Sequence, residues 1–251
     1  MFSLQEKAAF VIGATTGLGL AVAKSFVASG ARVVIGGRRD GDAIAADIGA
    51  SFVAIDVTDE SSVAAAFDAV AQRLGKLDIL VNNAGVYPSS MLADMNVEMQ
   101  QRNLDVNVNG VLWGLKYAAR HMNDGGSIIN TASIGAHFGM PGVGAYSAAK
   151  AAVCSLSQTA ALEFAPRGIR VNCISPSTVL GTEMNQDLAE EEQVIINTLT
   201  PLGRISEMSD YVGIYTLLAG DAGRFINGQD IRVDGGLGIG VPPALTDKLL
   251  V

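Results

Sequence analysis

The sequence predicts an α/β fold: a single doubly wound domain spanning residues 1–251, with a seven-stranded parallel sheet flanked by helices on both faces. Three observations predict it. Short apolar runs without in/out alternation recur along the chain, as strands buried on both faces require. Longer segments with helical spacing of apolar residues fall between them, supplying the crossovers of a parallel sheet. No repeat, low-complexity stretch or linker rich in Pro and Gly breaks the alternation.

The elements follow in order. Residues 8–12 read as the first strand and 17–29 as a helix stopped by Gly30. Strands at 32–35 and 51–55 enclose a helical stretch around 42–48, for which Asp40 is the expected N-cap. Thr58 is the expected N-cap of the next helix, with Asp59 and Glu60 in its first turn. There Val63, Phe67, Val70 and Leu74 form one apolar stripe, and Gly75 ends it. Strand four is 78–81 and strand five 127–131, with one long helical segment at about 96–121 between them. A helix at 144–164, strand six at 170–174 and strand seven at 229–233 complete the sheet. Residues 182–210, polar and acidic at Glu190-Glu191-Glu192, break the rhythm and read as a helical lid.

Composition narrows the function. Hydrophobic residues make up 49% of the 251, enough for one large core. A net charge of −8 argues against nucleic acid as a partner, because phosphate binding needs a basic face. No uninterrupted apolar stretch is long enough to span a membrane, and the N-terminus lacks the basic head of a signal peptide, so the expected setting is the cytoplasm. The two cysteines, Cys154 and Cys173, read as buried small hydrophobes; with no CxxC and no His/Cys spacing, no metal is expected.

Gly13-Ala14-Thr15-Thr16-Gly17-Leu18-Gly19 joins the first strand to the first helix. Glycines there let backbone N–H groups approach a pyrophosphate at a helix N-terminus. The spacing G-x-x-x-G-x-G also suits a plain tight turn, but its place directly after the first buried strand favours a dinucleotide site, with Gly13, Thr15, Thr16, Gly17, Leu18 and Gly19 as candidate contacts. Where an acidic residue would bind the adenosine ribose, the chain reads Gly36-Gly37-Arg38-Arg39-Asp40. A guanidinium suits a 2′-phosphate, so Arg38 favours NADP over NAD.

Further on come Asn82-Asn83-Ala84-Gly85, Ser133, and Tyr146-Ser147-Ala148-Ala149-Lys150, thirteen residues after the serine. With the glycine turn, these make the chain resemble the short-chain dehydrogenase/reductase family, compact single-domain type, over essentially its whole length. Physical chemistry agrees. Tyr146 and Lys150 are i and i+4 on one helix face. Lowering a phenol's pKa from near 10 by about three units takes roughly 4 kcal/mol. One ammonium about 4 Å away supplies that much at an effective dielectric near 20. Lys150 is thus expected to pull Tyr146 down to a working acid/base.

The resemblance implies an NAD(P)-dependent alcohol dehydrogenase or ketoreductase acting on a small or medium secondary alcohol or ketone. In it Tyr146 is the acid/base, Ser133 holds the substrate oxygen, and Lys150 also holds the nicotinamide ribose. Asn107 matches the position that holds a proton-relay water, with Asn109 as its rival. Asp56 and Val57 match the adenine contacts, and Asn83, Ala84 and Gly85 line the central part of the cofactor. Asn83 has a second expected task in tying strands together.

The chain also departs from the family pattern. Pro176-Ser177 stands where Pro-Gly is usual, and Thr182 arrives one residue late, leaving Val179 and Thr182 as the nicotinamide carboxamide contacts and Pro176 as a further cofactor contact. Thr16 replaces a basic residue, which counts against NADP. Residues 227–236 match the family's last strand, and the long tail at 237–251 implies a homotetramer. A non-catalytic dinucleotide sensor on the same fold is the competing reading; the presence of Asn107, Ser133, Tyr146 and Lys150 together favours the enzyme. Nucleotide-sugar epimerase or dehydratase chemistry would need a larger substrate domain. Ala136, His137, Phe138, Tyr87 and Met184 are the expected substrate-pocket residues, and their apolar character points to an alicyclic or aromatic substrate.

Overall fold

The computed structural model describes residues 2–246, so the final five residues of the tail at 237–251 lie outside it. Seven strands pair in the order β3-β2-β1-β4-β5-β6-β7, every pair parallel. They are β1 (Ala8–Ile12), β2 (Arg32–Gly37), β3 (Ser51–Ala54), β4 (Leu77–Asn82), β5 (Met122–Thr131), β6 (Arg170–Pro176) and β7 (Asp230–Val233). The principal helices are α1 (Gly17–Ala28), α2 (Asp42–Asp47), α3 (Glu60–Leu74), α4 (Val97–Leu104), α5 (Gly110–His121), α6 (Gly144–Phe164), α7 (Glu190–Leu199) and α8 (Ser209–Ala219).

Alternate residues of one strand feed opposite layers, which is why the strands read as unbroken apolar runs. Phe10 and Ile12 of β1 join Phe67 of α3, Leu115 of α5 and Val153 of α6 in one core. Ala9 and Val11 join Phe26 of α1 and Tyr211, Tyr215 and Leu218 of α8 in the other. The stripe expected on α3 faces the first core, with Val63, Phe67 and Val70 buried and Leu74 packed at its edge.

The structure corrects several local expectations. Asp59, not Thr58, caps α3, its carboxylate accepting from the Ser61 N–H at 2.9 Å. Thr58 instead donates its N–H and hydroxyl to Asp56, so an adjacent carboxylate outcompetes the hydroxyl for the cap. The cap position of α2 is Gly41; Asp40 reaches past it to accept from the Asp42 N–H at 3.0 Å. The helix expected across 96–121 is interrupted by a π turn at Asp105–Asn109, of the kind that clusters at functional sites. β5 begins at Met122, five residues before expected, with a register shift against β4 between Leu77 and Ile79. β2 and β6 each run two residues further than their apolar cores, to Gly37 and Pro176.

Candidate active site

The carboxyl ends of the central strands open into a cleft of about 680 Å³. Strand order reverses beside β1, where β2 lies on one side and β4 on the other, and such a switch point is where open α/β sheets leave a crevice. The cleft runs from Arg38 and Asp56 at one end, past the glycine turn, to Ser133, Tyr146 and Lys150 at the other.

The glycine turn is built by close backbone approach. The Gly13 N–H donates to the Gly36 carbonyl at 2.8 Å, and the Asn83 N–H to the Ile12 carbonyl at 3.0 Å. A Cβ on Gly13, whose φ is 78°, would stand 2.5 Å from the Ala84 nitrogen. One on Gly19 would collide with the Gly13 carbonyl and approach Asn83 Nδ2 to 2.6 Å. Gly13, Thr15, Thr16, Gly17 and Leu18 line the cleft. Gly19 lets α1 pack under the turn, since a Cβ there has no room against the Gly13 carbonyl. Asn83 carries out the tying role: its Nδ2 donates to the Gly13 carbonyl at 2.9 Å, and its Oδ1 accepts from the Thr131 hydroxyl at 3.1 Å. Asn83, Ala84 and Gly85 line the cleft as well.

At the Arg38 end, Asp56 and Val57 form the wall. The Thr58 backbone N–H holds the Asp56 carboxyl below its ordinary range, and the Arg38 guanidinium adds to that pull. Arg39, which the sequence did not single out, reaches across to Glu183 at 2.6 Å.

At the other end, Ser133 follows β5 and accepts from the Gly135 N–H at 3.1 Å. Tyr146 and Lys150 lie one turn apart on α6, both buried. The Lys150 ammonium donates to the Thr131 carbonyl at 2.8 Å and stands 5.8 Å from the centre of the Tyr146 ring. Here the electrostatic expectation fails. Burial pushes the Tyr146 phenol up to about 12, while Ser133 pulls it part of the way back and Tyr87 adds to the rise. Burial also brings the Lys150 ammonium down to about 8. Burial dominates at both groups, neither shift is set by the other residue, and the ammonium is engaged by the Thr131 carbonyl. Tyr87 packs edge-on against Tyr146, ring centres 4.8 Å apart.

Asn107 lies in the π turn, fully buried. Its Oδ1 accepts from the Val86 N–H at 3.1 Å, and its Nδ2 donates to the Val86 carbonyl at 2.9 Å and to Asn103 Oδ1 at 2.8 Å. Asn109 turns away to Asp105. Asn103, which the sequence gave no reason to single out, also donates to the carbonyl of Ala145, the residue before Tyr146, at 2.9 Å. A polar side chain at a core position of α4 was the available signal.

Pro176, Val179 and Thr182 line the cleft, and the Thr182 hydroxyl donates to the Val179 carbonyl at 3.0 Å. Of the expected pocket residues, Tyr87 and Met184 line the wall, together with Met140. Ala136, His137 and Phe138 do not; His137 is drawn to Asp230 at 2.7 Å on the far side of the loop.

A family model described as Enoyl-(Acyl carrier protein) reductase matches residues 13–238. The NADP-dependent (R)-specific alcohol dehydrogenase of Lentilactobacillus kefiri is 38% identical over 245 residues, covering 93% of this chain and 97% of that protein. Among solved structures, a short-chain type dehydrogenase/reductase from Mycobacterium marinum is 36% identical with a TM-score of 0.91, over 95% of this chain and 98% of that one. A gluconate 5-dehydrogenase from Burkholderia cenocepacia in complex with NADP and tartrate is 32% identical, also with a TM-score of 0.91, over 96% and 98%.

Proposed function

Since the chain belongs to the short-chain dehydrogenase/reductase family, we propose that it moves a hydride between a nicotinamide and the carbon of a small or medium secondary alcohol or ketone, with Tyr146 as acid/base. The observation that carries this reading is that one cleft is walled by both the glycine turn and the Ser133, Tyr146 and Lys150 side chains. The cradle fits a dinucleotide: its glycines leave backbone where side chains would intrude, and a cation stands at the adenosine end.

When bound, the nicotinamide supplies or accepts the hydride, and every proton movement falls to the chain. In the reductive direction the Ser133 hydroxyl holds the carbonyl oxygen and the Tyr146 phenol delivers its proton to that oxygen. A phenol pushed up to about 12 is protonated at neutral pH, which suits the acid role. In oxidation the Tyr146 oxygen must first give up its own proton, so that as phenolate it takes the proton of the alcohol, and the Lys150 ammonium beside the ring favours that form. Asn107 Oδ1 and Lys150 Nζ lie near one point beside Gly85, 3.1 and 3.6 Å from where a Cβ there would stand. That position suits a water that returns the proton to solvent. Tyr146→Phe tests the assignment: turnover should fall by about 10²–10⁴-fold, with nucleotide affinity retained. Turnover near wild type would remove Tyr146 from its role.

Arg38 supports NADP over NAD, because its guanidinium stands beside Asp56 with no carboxylate at the end of β2. Tyr87, Met140 and Met184 support an alicyclic or aromatic substrate. A panel of ketones with each nicotinamide checks both; a preference for carboxylate-bearing substrates would overturn the apolar pocket. The segment 182–210 acts as the lid, since Thr182, Glu183, Met184 and Asn185 already reach the cleft. The protein works in the cytoplasm as a homotetramer, for which the wholly exposed Phe225 and the apolar Val97 and Leu162 offer contact surface. A monomeric mass in solution scattering would refute the assembly.

A further inference from the structure

Behind the catalytic groups lies a second cluster. His137, four residues after Ser133, Cys154, four residues after Lys150, and Asp230 at the start of β7 place one donor atom each within 4.8 Å of the others. His137 Nε2 stands 2.7 Å from Asp230 Oδ2, and the Cys154 thiol donates to that same oxygen at 3.2 Å. The Ser175 hydroxyl donates to the other oxygen, Oδ1, at 2.6 Å. None of His137, Cys154 or Asp230 lines the cleft.

We propose that His137, Cys154 and Asp230 form a binding site for a zinc-class divalent cation. One imidazole, one thiol and one carboxylate are the donor types zinc takes, and three protein ligands leave a fourth position to water. With bonds of about 2.0 Å to N and O and about 2.3 Å to S, tetrahedral donors stand roughly 3.3–3.5 Å apart. The Cys154–Asp230 separation is close to that already, while His137, on a partly exposed loop, must withdraw from Asp230 by about half an ångström and settle at that separation from Cys154, within 4.8 Å of which it already stands. Binding displaces the thiol proton to solvent, so thiolate and carboxylate together balance the dication. Ser175 then fixes the carboxylate from behind, as outer partners of metal ligands do. Because His137 shares its loop with Ser133, and Cys154 its helix face with Tyr146 and Lys150, the ion would pin both catalytic segments to β7. No sequence spacing announces the site, since its ligands come from three separate segments.

The test uses the full chain without an affinity tag and is independent of turnover. Titration with Co²⁺ should give a thiolate-to-cobalt absorption band saturating at one ion per chain, and calorimetry with Zn²⁺ should give the same stoichiometry with proton release. Cys154→Ala should abolish the band, and His137→Ala should weaken Zn²⁺ binding by more than the roughly 10–100-fold expected for Ser175→Ala. His121→Ala, at the only other histidine, should change nothing. Thermal melts identify any variant that fails to fold, and Ser175→Ala, the mildest change, keeps a readable arm. No cobalt–thiolate band, or Zn²⁺ binding in Cys154→Ala and His137→Ala unchanged from wild type (an adventitious ion only), overturns the proposal.

Discussion

Lys150 should make the protein gain stability as pH rises, and Lys150→Met should remove that gain. The lysine is 3% exposed, and burial lowers its pKa from 10.5 to about 8. Between those values the unfolded chain holds a proton that the native chain has released. Stability therefore increases with pH across this window, and the penalty for burying the charge is fully present below it. With these two pKa values, the penalty is about 3 kcal/mol at pH 7 and about 1.4 kcal/mol at pH 9.5, so wild type gains about 2 kcal/mol from this one group. Met fills a similar volume without charge. Other groups titrating in the range contribute to both proteins and cancel in the difference. Urea unfolding of both at pH 7 and pH 9.5, without nucleotide, gives four free energies. The wild-type-minus-variant difference should move by about 2 kcal/mol in favour of wild type. A difference that stays within about 0.5 kcal/mol would mean that water reaches the ammonium and that its charge costs the fold nothing.

Arg38→Ala should lower kcat/KM with NADP by about 10–150-fold, the loss of one charge-assisted hydrogen bond of roughly 1.5–3 kcal/mol, while leaving NAD almost unchanged; equal losses with both cofactors would argue against a 2′-phosphate contact. Asn103→Leu strips a partner from Asn107 and from the Ala145 carbonyl. It should cost about 1–3 kcal/mol for each group left unsatisfied by denaturant titration, and kcat should fall with KM little changed. Gly19→Ala should push α1 off the glycine turn, costing about 1–3 kcal/mol and weakening nucleotide binding in a fluorescence titration; wild-type affinity would show that the turn can yield.

How much of this was legible depended on how local the physics was. Strand positions were legible because burial on both faces writes itself into consecutive residues, as in the Ala8–Ile12 run. The competition between Thr58 and Asp59 for the α3 cap was not, since either residue type caps well and Asp56 decided it by engaging Thr58. The glycine turn is readable as a group, yet the close approach of Gly19 to the Gly13 carbonyl is visible only in three dimensions. Asn103 and the His137–Asp230 pair depend on segments far apart in the chain, and periodicity says nothing of such meetings.

The reversal at Tyr146 had a different origin. An i, i+4 pairing of phenol and ammonium accounts only for their mutual attraction, and spacing carries no desolvation cost. Yet α6 carries its own warning. Its buried face runs Tyr146, Ala149, Lys150, Val153, Ser157, Ala160 and Ala161, so the lysine occupies a position in the stripe that would ordinarily be apolar. A long, strongly hydrated side chain in a core-facing register is a statement about desolvation before it is one about pairing. Burial raises the phenol's pKa and lowers the ammonium's, bringing the lysine toward neutral pH and taking the tyrosine further from it. Burial therefore keeps the Tyr146 phenol in its proton-carrying form, the form the proposed reduction uses.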